Sequence, residues 1–147
     1  MFIISLIDIN KLKNMSPYIY ILCLIMLMIT LFWGHDVKGA KRWIVIMGFS
    51  FQVSEIIKFF VPMTLAWYLS LSDDKDIDIK KLIICFAIIL APIFFIIKQP
   101  DLGTSLIILL CGLITLFLGG IKKKQIIILF GLFSIAIPIM WKFILLP

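Results

Sequence analysis

Polar chemistry is scarce in this sequence. Histidine occurs once, as His35, cysteine three times, and only 15% of the 147 residues are charged. Cys23, Cys85 and Cys111 lie far apart inside apolar runs, without ligand-like spacing to His35. That pattern excludes a zinc site and reads as small packing residues. His35, beside Asp36, reads as a solvated loop histidine. No hydrolase triad, glycine-rich phosphate loop or nucleotide-binding fold can be assembled from the remaining residues. Acidic side chains are few, 8 against 14 lysines and arginines for a net charge of +6. The lysines fall in short gaps between apolar runs, a distribution that speaks for membrane topology and against a nucleic-acid partner.

What is abundant is hydrocarbon. At 63% hydrophobic residues and a mean hydropathy of +1.21, there is too little polar surface to coat a water-soluble globule. A helix crosses a hydrocarbon core of about 30 Å with about 20 apolar residues, and about 17 suffice when its ends are anchored. Segments near 17–33, 54–71, 82–98, 102–121 and 125–146 qualify, so the expected fold is an all-α polytopic membrane bundle of about five spans in one domain over residues 1–147. Tyr18, Tyr20 and Trp33 flank the first span and Trp67 and Tyr68 close the second, where aromatic rings favour the headgroup level. Pro62, Pro92 and Pro138 each interrupt a span, removing a donor and bending the axis. Met1–Ile9 lacks a basic leader and a small-residue cleavage site, so insertion is expected to rely on the first spanning helix.

Orientation follows from the basic gaps. Lys122, Lys123 and Lys124 stand together without an acid and mark a cytoplasmic loop. Alternation puts the N-terminus and the 72–81 loop on that inner side. Residues 35–51, the turn at 98–101 and the C-terminus fall outside. The first outer loop is itself basic, with Lys38, Lys41 and Arg42, a departure from the positive-inside pattern that calls for a separate cause.

Glu55 and Lys58 are three apart, so on a helix they share a face and can pair. Such a pair either closes a helix end or lines a polar cavity for an anion. Asp101, after Gln99 and Pro100, is placed to cap the helix that follows. Capping does not account for Arg42, Glu55, Lys58, Lys98, Gln99 and Asp101 all mapping to one side of the membrane. That convergence predicts a polar, outward-opening pocket.

Taken in order, Gly39-Ala40-Lys41-Arg42-Trp43, then Gln52-Val53-Ser54-Glu55-Ile56-Ile57-Lys58, then Gln99-Pro100-Asp101-Leu102-Gly103-Thr104 resemble the signature of the RodA/FtsW family of cell-wall polymerases. That family shows G-A-x-R-W, Q-P-S-E-x-x-K and Q-P-D-L-G-T in the same order and spacing. The pattern is closest to the RodA branch of rod-shape control and extends across nearly the whole chain. The resemblance implies a bacterial inner-membrane glycosyltransferase with a ten-helix fold. It polymerises lipid II, a polyprenyl-pyrophosphate-linked disaccharide-pentapeptide, on the outer face, alongside a class B penicillin-binding protein and the elongation machinery. By motif match, Arg42, Glu55, Lys58 and Asp101 line or support the cavity. Gly39, Trp43, Gln52, Ser54, Gln99, Pro100, Gly103 and Thr104 support it. Pyrophosphate calls for cations such as Arg42 and Lys58, with Glu55 holding Lys58 in place. No cofactor or metal is called for, and nothing in the sequence supports a divalent cation on the pyrophosphate.

Two departures from the family pattern carry consequences. Val53 stands where the family has proline, which releases a fixed φ at the start of the second span. The chain also reads as short at both ends. The family's large outer loop, with the aspartate that serves as general base, falls beyond Pro147. Loss of a general base costs about 10²–10⁴ in rate, so this polypeptide alone is expected not to polymerise glycan. In such a fragment Gly103, Ser105 and Gly112 are expected on faces that meet lipid. Two alternatives stand beside the enzyme fragment: a non-enzymatic protein that binds or translocates lipid II, and a scaffold that docks on a penicillin-binding protein.

Overall fold

The computed structural model describes residues 9–33, 35–37, 40–46, 49–71 and 78–121. The elements are α1 (Ile9–Trp33), β1 (His35–Val37), β2 (Ala40–Ile46), β3 (Phe49–Gln52), α2 (Val53–Leu69), α3 (Ile79–Lys98) and α4 (Leu102–Leu118). The chain is predominantly helical, as its composition demands. α1 and α3 are long and apolar enough to cross a membrane, and α4 is a shorter apolar helix. The apolar run at 125–146, Pro138 and Lys122–Lys124 lie outside the described residues.

α1 starts at Ile9 and takes Pro17 into its interior, well before the start expected near residue 17. The helix tolerates the proline because the carbonyl of Lys13, which Pro17 leaves without an amide donor, accepts from the Ser16 hydroxyl at 2.7 Å. The same repair recurs on α3. Pro92 deprives the Ile88 carbonyl of its helical partner, and the Tyr20 hydroxyl on α1 donates to it at 2.8 Å. Tyr20 is therefore buried. That bond turns Tyr20 inward against α3, while Tyr18 remains exposed.

α2 packs against each of the other three helices. Its Ile57, Val61 and Leu65 are fully buried and meet Ile89, Ile96 and Ile108 in one core. α3 and α4 approach closely at Gly112, where a Cβ would stand 2.7 Å from Ile89. Gly112 and Ser105 are both buried. The lipid-facing placement expected for them is thus overturned, whereas Gly103 is exposed. Hydropathy could not separate these positions, because apolar residues occupy every side of α4. Cys23 and Cys85 are buried free thiols and Cys111 is half-buried, packing residues as read from the sequence. Large apolar side chains also cover the outer surface, Phe32, Phe59, Phe94 and Phe117 among them, a pattern suited to contact with lipid.

Between α1 and α2 the chain forms a three-stranded antiparallel sheet in the order β1-β2-β3, where the sequence had suggested only a basic loop. Trp43, Ile44, Val45 and Ile46 pair with Gln52, Phe51, Ser50 and Phe49. These aromatic and β-branched residues favour a pleated surface. β2 lies against α1 and α2.

Candidate functional site

The polar residues collect where four helix ends meet. The C-terminal ends of α1 and α3 and the N-terminal ends of α2 and α4 are tied together there by side-chain hydrogen bonds. Gln99, buried after the last residue of α3, donates through Nε2 to Thr30 Oγ1 at 2.8 Å and to the Leu27 carbonyl at 3.4 Å. Thr30 in turn donates to the same Leu27 carbonyl at 2.8 Å. The turn between α3 and α4 is thereby fastened to α1. Thr30 was not identified from the sequence; its one signal there is a hydroxyl placed near the end of an otherwise apolar run.

Asp101 caps α4, as its position before Leu102 predicts. Its Oδ1 accepts from the Thr104 amide at 3.1 Å, and its Oδ2 accepts from Thr104 Oγ1 at 3.0 Å. A carboxylate here satisfies an orphan amide and meets the positive end of the helix dipole. Ser105 donates to the Asp101 carbonyl at 2.9 Å. Gln52, the last residue of β3 and the N-cap of α2, donates through Nε2 to Asp101 Oδ2 at 3.4 Å. The sheet, α2 and α4 thus meet at one carboxylate.

Glu55 and Lys58 form an ion pair of 2.7 Å in the first turns of α2. Glu55 is largely exposed and Lys58 mostly covered, so solvent screens the pair only in part. Ser54 beside them is buried, and its hydroxyl has no hydrogen-bond partner among the described residues. Lys98 closes α3 with its ammonium 5.4 Å from the centre of the Phe94 ring. Arg42 lies on β2 next to Trp43, which pairs with His35 on one side and Gln52 on the other. Gly39 lies outside the described residues.

Of the residues singled out in the sequence, the structure joins Gln52, Asp101 and Thr104 in one hydrogen-bonded group. It pairs Glu55 with Lys58 separately and turns Gln99 inward onto α1. Pro100 and Gly103 flank the cap on the surface. Among the described residues, no group of His, Cys, Asp and Glu side chains could hold a metal ion. At this end of the bundle Lys58, mostly covered and paired with Glu55, is a cation held in a partly dehydrated setting.

Comparison with known proteins places this arrangement. The family described as cell cycle protein, comprising FtsW, RodA and SpoVE, matches residues 1–146. The peptidoglycan glycosyltransferase MrdB of Escherichia coli (strain K12) is 36% identical over 133 residues, which covers 90% of this chain and 36% of that protein. The probable peptidoglycan glycosyltransferase FtsW of Wigglesworthia glossinidia brevipalpis is 37% identical over 140 residues, covering 92% of this chain and 36% of that protein. The chain therefore spans about a third of the length of these relatives. Among solved structures, the rod shape determining protein RodA of Thermus thermophilus superposes with a TM-score of 0.76 at 24% identity, covering 92% of this chain and 44% of that one. A chain of a peptidoglycan synthase complex that coordinates polymerization and crosslinking gives 0.80 at 23% identity, covering 95% and 40%. At these identities the structural likeness speaks for the fold.

Proposed function

This chain belongs to the FtsW, RodA and SpoVE family, and from that premise we propose that it forms the donor-lipid-handling part of a RodA-like peptidoglycan glycosyltransferase. Transfer from a polyprenyl-pyrophosphate-linked sugar breaks the bond between the anomeric carbon and the pyrophosphate oxygen. Negative charge then grows on the departing pyrophosphate, and cations fixed beside it lower the barrier. Lys58, held by Glu55 at 2.7 Å, and Arg42 on β2 are the residues assigned that role. Asp101 supports the cavity.

The observation that carries this reading is the gathering of the motif residues at one end of the bundle, in a chain 36% identical to a peptidoglycan glycosyltransferase. In the proposed topology that end faces the periplasm from the bacterial inner membrane. In that topology the N-terminus is cytoplasmic and the C-terminus periplasmic. A penicillin-binding protein and the elongation machinery are the proposed partners, because a chain of similar fold belongs to a peptidoglycan synthase complex. Glycan polymerisation is assigned to a whole-length protein.

The test is equilibrium binding of undecaprenyl-pyrophosphate disaccharide-pentapeptide to the chain in nanodiscs. Saturable binding that weakens in Arg42→Ala and Lys58→Ala supports the reading. Binding equally strong in both variants, or none in the parent chain, contradicts it.

A further inference from the structure

Asp101 bonds to Thr104 and Gln52 at this junction. Its Oδ1 is taken by the Thr104 amide at 3.1 Å, and its Oδ2 by Thr104 Oγ1 at 3.0 Å and Gln52 Nε2 at 3.4 Å. An ionised carboxylate accepts only, so the Gln52 atom facing it is the amide nitrogen. Gln52 occupies the N-cap of α2, yet its side chain makes no cap bond there; it reaches to the neighbouring helix instead. Its backbone is paired with Trp43, the residue beside Arg42.

These bonds form a continuous path from α4 through Asp101 and Gln52 into β3, and across the register to β2. We infer that Gln52 and Asp101 are a positioning pair that fixes the strand carrying Arg42 against the ends of α2 and α4, where Lys58 stands. The inference deepens the reading of Arg42 as a pyrophosphate contact, and for ligand binding it rests on that reading. It differs from an assignment of Asp101 as a charged lining group in a checkable respect. A strut requires hydrogen-bonding atoms in place, whereas a lining group requires the negative charge.

Asparagine separates the two. In Asp101→Asn the remaining carbonyl oxygen still caps the Thr104 amide. The new amide nitrogen faces the Thr104 hydroxyl and a Gln52 side chain turned to present its oxygen. Gln52→Glu does the opposite and sets two carboxylates against each other. Joined with Asp101→Asn, it recreates a donor–acceptor pair with the roles exchanged.

The experiment uses the whole chain in nanodiscs with two readouts: amide hydrogen exchange across 43–46 and 49–52, and binding of undecaprenyl-pyrophosphate disaccharide-pentapeptide. Exchange in α3 serves as the control for folding. Gln52→Met, which keeps the length and removes the amide, guards against failure of the charged variant to fold. The expectation is that Gln52→Glu accelerates exchange in the sheet about tenfold or more and Gln52→Met about threefold, with binding reduced in parallel. Asp101→Asn is expected to change sheet exchange less than either Gln52 variant does, and the double variant to return toward the parent. Sheet exchange unchanged by Gln52→Glu and Gln52→Met overturns the inference. So does acceleration of sheet exchange by Asp101→Asn as large as that by Gln52→Glu, since the charge itself would then be what matters. Absence of lipid binding in the parent chain would remove the functional reading, and the exchange pattern would still decide whether the pair holds the sheet.

Discussion

The hydroxyl of Tyr20 donates to the carbonyl of Ile88 at 2.8 Å, the backbone acceptor that Pro92 strips of its helical partner. One side chain of α1 thereby completes the backbone of α3 and pins the helix that leads to Gln99 and Asp101. Tyr20→Phe is expected to lower stability by about 1 kcal/mol. In a Pro92→Ala background the restored amide takes over the carbonyl, so Tyr20→Phe should there cost little. Equal losses in the two backgrounds, measured by thermal unfolding in detergent, would show that the proline and the tyrosine are not linked.

The close approach of α3 and α4 sets the second prediction. At Gly112 a new Cβ would meet two atoms of Ile89 at 2.7 Å, and Ile89 is fully buried. Gly112→Ala is expected to destabilise by about 1–3 kcal/mol, with part of that returned by Ile89→Val. Gly103 on the same helix is open, its nearest neighbour being Asp101 Oδ1 at 3.9 Å. Gly103→Ala should therefore be neutral or stabilising by up to about 1 kcal/mol. The melting temperatures of the two variants should move in opposite directions or at least differ clearly.

Gln99 and Thr30 join the α3–α4 turn to α1 by a buried bond of 2.8 Å. Thr30→Val removes the acceptor and is expected to cost about 1–2 kcal/mol. With Gln99→Leu already present no amide is left wanting a partner, so the same change should cost much less. Additive losses in a double-mutant cycle would contradict the coupling.

Lys58 tests the assignment of cations to the pyrophosphate. Its ion pair with the exposed Glu55 is of the kind worth about 0–1 kcal/mol, so Lys58→Ala should shift the melting temperature little. Binding of the lipid pyrophosphate should nevertheless weaken by about tenfold, the value of one charge-assisted contact. A variant that melts early and binds normally would reverse that account.

The helices were legible because membrane spans announce themselves by length and hydropathy, and Asp101 was legible as a cap because an acid before Leu102 has few other uses. The orientation of each helix about its own axis was not legible. Apolar residues surround α3 and α4, so only the structure distinguishes buried Gly112 and Ser105 from exposed Gly103. Nothing in the local sequence separates buried Tyr20 from exposed Tyr18; the bond of Tyr20 to Ile88 spans 68 positions of sequence. The sheet between α1 and α2 escaped notice because basic residues and a histidine mark a loop more strongly than the run Trp43–Ile46 marks a strand. The site motifs were visible as residue types, yet their division into an ion pair, a cap and an inward-turned Gln99 depends on contacts between distant segments.

The central claim is that the motif-bearing ends of the helices share one side of the membrane, the side on which the donor lipid is used. Single cysteines introduced as Glu55→Cys, Lys98→Cys and Lys80→Cys, in a chain freed of Cys23, Cys85 and Cys111, test it through labelling with a membrane-impermeant maleimide in intact cells stripped of their outer membrane. All three positions are exposed on the molecule. Labelling of positions 55 and 98 from outside, with position 80 reached only after permeabilisation, is the predicted result; labelling of 55 and 98 from opposite sides would contradict the account.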